Sequence, residues 1–342
     1  MTQKKLLMAF AVVTAMVLAA CGPGETAETG ATSTSATEAT TTQPETTTTV
    51  GVETTTTSIP SERVFIGADG VETSISDISR IVSLNGDLTE IIFELGLGEN
   101  VVGVDVTTTY PPEAAALNDQ GDTVGFAQML AAEAVLRFNP TLVVGDQQVG
   151  PPEVIEQLRE AGIAVVILET QTTLDGVETK IGQVAEILGV TATGEELAER
   201  VMGEIDAARD LAESDDSNPS VAFVYVRGPQ VVFLFGAGMP TQAMIEGAGA
   251  IDAGAEAGVF GPAPLTPEAL VAAAPAVIVL PEAGLAALGG IQAFLELPGV
   301  AETPAAKNDA FLAYDEAYFF NLGPRVGQAL DEFVRDLYPG IG

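Results

Sequence analysis

The sequence predicts an α/β protein with two three-layer lobes separated by a helical segment. Three observations carry this expectation. From Arg63 onward, short apolar runs of strand length alternate with segments of helical spacing; the strand signal vanishes between Leu174 and about Glu213; the alternation then resumes to the end of the chain.

In the first half, Ile81-Val82-Ser83-Leu84 reads as a strand, and Leu88, Ile91, Ile92 and Leu95 share one helical face after it. Val101-Val102-Gly103-Val104 is the second strand. Pro111-Pro112-Glu113 opens a helix, since a missing N–H costs little in the first helical turn. A helix over Ala131–Phe138 leads to the strand Thr141–Val144. Pro151–Ala161 is helical and Ala164–Leu168 is a buried strand. Helices between such strands imply parallel pairing with both faces covered. In the middle, Ile181, Val184, Ile187 and Leu188 form one apolar face. Leu197, Val201, Ile205 and Ala208 continue another after a break at Gly189. The second half supplies strands at Val221–Val226, Val231–Phe235, Ala276–Leu280 and Phe311–Tyr314. Its helices lie near Thr241–Gly247, Pro267–Ala273 and Arg325–Leu337. The expected division is 62–172 for the first lobe, 173–218 for the helical linker and 219–342 for the second lobe.

The beginning of the chain reads differently. Lys4 and Lys5 precede an apolar run from Leu6 to Ala20, too short for a bilayer span and suited to a signal peptide over residues 1–20. It ends in Leu18-Ala19-Ala20-Cys21-Gly22, and Cys21 is the single cysteine of the chain. This segment resembles a bacterial lipobox, which implies lipidation of Cys21 and an anchor on the outer face of the cell membrane. Residues 21–61 are rich in Thr, Glu, Gly and Ala and read as a flexible stalk with a reach of ~35 Å.

Composition excludes several activities. The 342 residues carry 48 acids against 13 lysines and arginines, a formal charge of −35, which disfavours nucleic acid and anionic lipid as partners. With no histidine, imidazole catalysis and ordinary zinc sites are excluded. One cysteine excludes an intramolecular disulfide. No nucleophile–base pair stands out, so a secreted α/β enzyme is a remote alternative. Gly236-Ala237-Gly238 follows a strand, but Thr241 replaces the third glycine of a dinucleotide loop; a glycine turn at a cleft mouth is the better reading.

Several segments together resemble a known family. They are Val104–Pro111, Val124-Gly125-Phe126 with Leu130–Glu133, Asn139–Val143, Gly150–Glu153, Gly289-Gly290-Ile291, Leu297–Val300, Thr303-Pro304-Ala305 and Leu322-Gly323-Pro324-Arg325. In order, they resemble substrate-binding lipoproteins of ABC importers for iron complexes, haem and corrinoids, most nearly those for haem. The resemblance implies a class III periplasmic-binding-protein fold, with two Rossmann-like lobes joined by a long rigid helix. It implies a monomer that is not an enzyme, carries haem in the interlobe cleft as transported ligand, and delivers it to an ABC permease with its ATPase. A ferric siderophore or a corrinoid is the alternative cargo.

The resemblance also implies residue roles. Glu133 and Glu246 match the two glutamates, one per lobe, that face arginines on the permease. Tyr110 matches a tyrosine expected as axial ligand to haem iron, a role tyrosine can fill. Two departures stand out. An arginine often found before the first docking glutamate is Gln128 here. The second-lobe segment Phe260–Leu265, read as a loop where a second ligand is expected, has Pro262 at that place. Met129 and Tyr318 are the remaining candidates to complete an iron sphere.

Overall fold

The computed structural model describes residues 62–341. The signal segment, Cys21 and the stalk through residue 61 lie outside the described residues.

The described chain begins with an antiparallel hairpin, β1 (Arg63–Ile66) and β2 (Glu72–Ile75). Its alternating pattern sends Phe65 and Ile75 into the core and leaves Val64 and Ile66 in solvent. Next, β3 (Ile81–Ser83), β4 (Val101–Val104), β5 (Leu142–Asp146) and β6 (Ala164–Leu168) form a parallel sheet in the order β4-β3-β5-β6. These strands are nearly continuous apolar runs because helices cover both faces.

The linker is a pair of antiparallel helices rather than one continuous rod. Gly176–Leu188 ends at Gly189, whose φ of 74° lies in the left-handed region that glycine reaches without strain. The chain then returns as Thr191–Ala212, and Arg209 near its far end pairs with Asp175 at the start of the first helix at 2.9 Å. Gly194 allows the two to touch: a Cβ there would lie 2.2 Å from the Ala185 methyl carbon.

In the second lobe, β7 (Ser220–Val226), β8 (Val232–Phe235), β9 (Ile251–Asp252), β10 (Pro262–Pro264), β11 (Val277–Pro281) and β12 (Phe311–Tyr314) form one sheet. Its path is β10-β8-β7-β11-β12, with β9 beside the start of β7. The order β7-β11-β12 is parallel, as the sequence implies. The pairs β7–β8 and β8–β10 are antiparallel. The turn between β7 and β8, closed by Arg227 N–H on the Val231 carbonyl at 2.9 Å, is too short for a crossover. The segment expected as a loop around Pro262 is instead the edge strand β10, a position that tolerates proline.

One hydrophobic cluster runs through both lobes and the linker. It joins Leu88 and Ile91 of the first lobe to Ile181 and Val201 of the linker and to Leu330 and Phe333 of the C-terminal helix Val326–Leu337. A second cluster, including Leu84 and Val143, fills the other face of the first sheet. A third, including Val224 and Phe294, does so for the second. The three layers of each lobe are thereby filled.

Candidate functional site

The C-terminal ends of β5 and β7 and the loops after β3 and β4 converge between the lobes, where open α/β sheets present their ligand crevices. A cleft of about 250 Å³ lies there. Asn85, Asp105, Phe126 and Asp146 stand on its first-lobe wall; Tyr225, Arg227 and Glu316 stand on the other.

The first wall is acidic and held in place. Asp105 is buried and accepts hydrogen bonds from Thr107 N (3.2 Å), Thr107 Oγ1 (2.7 Å) and Thr108 Oγ1 (3.4 Å). Burial outweighs these bonds and pushes its carboxyl from 3.8 up to about 7. Asp146 is also raised by burial, with Asp87 adding repulsion, although Gln148 N and Thr170 Oγ1 donate to it, each at 2.9 Å.

A raised carboxyl makes the folded chain the tighter proton binder. The stability contributed by Asp105 is therefore complete below about pH 4 and lost as the pH climbs to about 7. Asp105→Asn keeps an acceptor for the threonines. It is expected to be more stable than wild type at pH 8, by on the order of 4 kcal/mol at most, and close to it at pH 4. Urea titrations at the two pH values check this; an equal difference at both overturns it.

The lobes are pinned beneath the cleft. Lys180 of the linker, 4% exposed, donates to the Asp87 carboxylate of the first lobe and to the carbonyls of Asn321 and Leu322 of the second, each carbonyl at 3.2 Å. Arg325 reaches across as well, its Nε and Nη2 donating to the two oxygens of Glu90 at 2.8 and 3.1 Å. The Arg325 guanidinium also lies over the ring of Tyr110, 3.6 Å from its centroid, and 5.1 Å from that of Tyr318.

The second wall carries a triad. The Tyr225 hydroxyl donates to Glu316 Oε1 at 3.2 Å, and Arg227 Nη2 donates to Glu316 Oε2 at 3.2 Å. The Tyr225 ring stacks on Phe235 with centroids 5.4 Å apart. Burial, reinforced by the Glu316 charge, pushes the phenol up to about 12.

These placements sort the residues expected from the sequence. Gln128 lines the cleft beside Phe126. Tyr110 is half-buried under Arg325 and is not among the residues lining the cleft, although Thr107 on its loop is. Tyr318 is half-buried near the same arginine, its phenol pushed up to about 12 by burial and then Glu332. Met129 is 75% exposed and lies outside the lining. Glu133, on the helix Ala132–Leu136, and Glu246, on the helix Pro240–Gly247, are exposed on different lobes; Glu246 accepts from Gln242 Nε2 at 2.8 Å. Among the described residues lining the cleft, Tyr225 is the only tyrosine. Sequence reasoning missed it; the available signal was its place next to the C-terminal end of an apolar strand, where ligands meet such sheets.

Comparisons with known proteins agree with this architecture. Residues 81–318 match the model of the periplasmic binding protein family. The structure resembles the periplasmic heme-binding protein RhuT from Roseiflexus sp. RS-1 in its apo form, with a TM-score of 0.74 and 44% identity over 77% of this chain and 99% of that one. The ABC transporter substrate-binding lipoprotein YvrC of Bacillus subtilis is 27% identical over 264 residues, 76% of this chain and 80% of that protein. A cobalamin-binding protein of Halobacterium salinarum is 31% identical over 215 residues, 60% of this chain but only about half (54%) of that protein's length. The family match runs from β3 to the helix Glu316–Phe320 and takes in the pinned lobes and the cleft between them; this chain belongs to the periplasmic binding protein family.

Proposed function

We propose that the protein captures haem in its interlobe cleft and delivers it to an ABC import permease driven by a separate ATPase. The observation that carries this reading is Tyr225, a tyrosine on the cleft wall with an arginine two residues on. A phenolate oxygen is a hard ligand suited to ferric haem, and Arg227 offers a partner to a haem carboxylate. The likeness to RhuT supports the same cargo. Haem is substrate here, not a resident cofactor, and the chain acts by ligation and burial rather than by catalysis. Tyr110 is the second candidate iron ligand, on the strength of its loop, whose Thr107 lines the cleft; it would need Arg325 to leave its ring.

The cobalamin-binding relative supports a corrinoid as alternative cargo. Anionic ferric siderophores fit less well, because Asp87, Asp105, Asp146, Glu169 and Glu316 line the cleft against Lys180 and Arg227. Titration of the full-length protein with haemin, followed in the Soret region and repeated with cyanocobalamin as competitor, tests the reading. Saturable 1:1 haemin binding that cyanocobalamin does not displace supports it. Saturable binding of cyanocobalamin alone replaces haem with a corrinoid.

Both cleft walls come from one chain, so a monomer suffices. Lipidation at Cys21 would hold it on the outer face of the membrane, with the Thr-rich stalk allowing it to reach its permease. Glu133 and Glu246 would dock on permease arginines, one per lobe. Replacing both with alanine is expected to lower haem-dependent stimulation of the transporter's ATPase about tenfold and leave haemin affinity unchanged. Undiminished stimulation overturns the docking assignment.

A further inference from the structure

We propose that Glu316 is an internal stand-in for a ligand carboxylate. Its carboxylate holds Arg227 and Tyr225 together, and the cargo must displace it to engage either. This rests on the haem reading above.

Lys180 and Arg227 are the cations among the described residues lining the cleft. Lys180 is buried and committed to Asp87 and two carbonyls, whereas the Arg227 side chain is 50% exposed. An incoming carboxylate can therefore reach Arg227 alone, and finds Glu316 already there. The contact is of the displaceable kind. It is one hydrogen bond of 3.2 Å between side chains 50% and 27% exposed, unlike the two-bond Arg325–Glu90 pair, whose side chains are 18% and 5% exposed.

The backbone under Glu316 is fixed. Asp315 caps its helix by accepting from Tyr318 N at 2.9 Å, and the helix runs into Asn321 and Leu322, whose carbonyls hold Lys180. Displacement is thus a side-chain rotation. Because the two Glu316 oxygens hold Tyr225 and Arg227 separately, one rotation frees both. The cargo carboxylate then takes Arg227. The Tyr225 O–H breaks with its proton passing to water, and the oxygen lone pair forms the bond to ferric iron with no change in oxidation state.

Removing a competitor tightens binding, whereas removing a supporting group weakens it, so the sign decides. In full-length protein, Glu316→Gln is expected to bind haemin about fivefold more tightly, the gain from freeing an exposed pair closed most of the time. Glu169→Gln removes an equal charge from the same cleft without touching Arg227 and is expected to change affinity less than about twofold. With haemin dimethyl ester, whose carboxylates are masked, the Glu316→Gln gain is expected to shrink to the share that comes from freeing Tyr225. Weaker or unchanged binding by Glu316→Gln, an equal gain in Glu169→Gln, or a gain undiminished with the ester overturns the inference and leaves the haem reading standing if wild type binds. A wild type that fails to bind haemin removes both.

Discussion

Tyr225→Phe is expected to lower haemin affinity by one to two orders of magnitude and to abolish any tyrosinate-type charge-transfer band, while the protein stays folded. A metal loses at least as much when a direct ligand is removed as when a supporting group is, and the latter costs about 10- to 100-fold. The variant is conservative for the scaffold, because phenylalanine keeps the ring that stacks on Phe235. What it removes is the oxygen whose proton burial and Glu316 now hold, with the phenol pushed up to about 12. Tyr110→Phe serves as the matched comparison, since it keeps the ring under Arg325 and so preserves the cation–π contact. It is expected to bind haemin like wild type. If the band disappears in Tyr110→Phe and persists in Tyr225→Phe, the iron ligand is Tyr110.

The largest expected loss of stability follows Lys180→Ala. Its side chain is 5% exposed and its Asp87 partner 15%. Truncation strands a carboxylate that is only 15% exposed, together with the Asn321 and Leu322 carbonyls. Breaking a buried pair from one side costs about 3–5 kcal/mol. The exposed pair Arg200–Glu94, at 40% and 38%, sets the contrast: Arg200→Ala is expected to cost under about 1 kcal/mol. Combining Lys180→Met with Asp87→Leu removes the orphaned charge and is expected to recover most of the loss. Urea midpoints of the four proteins measure this. A Lys180→Ala cost no greater than that of Arg200→Ala would show that the buried pin contributes nothing special.

How much of this was legible depended on whether the signal was local. The strands at Ile81, Val101, Leu142 and Ala164 are readable because a strand covered on both faces must be a continuous apolar run. The first hairpin is hard to read because β1 and β2 are only four residues each and four of those eight residues are polar. The strand at Pro262–Pro264 looked like a loop because proline signals a turn, and only its edge position makes a strand tolerable. Site residues were harder. Tyr-Pro-Pro after a strand drew attention to Tyr110, yet its nearest cation, Arg325, comes from the start of the C-terminal helix, a contact no local spacing announces. Lys180 with Asp87 and Arg325 with Glu90 are likewise long-range pairs. Tyr225 sits inside a strand pattern that reads as core, and its half-exposure on the cleft appears only when the lobes face each other.

The apolar cluster that passes through the paired linker helices makes the two lobes one cooperative unit. Leu88, Val201 and Phe333 share a single buried apolar cluster although they come from three parts of the chain. Melting one lobe would expose the part of that cluster that supports the other, so the two are expected to unfold together. A cargo gripped at one wall is therefore expected to stabilise the far lobe as well as the near one.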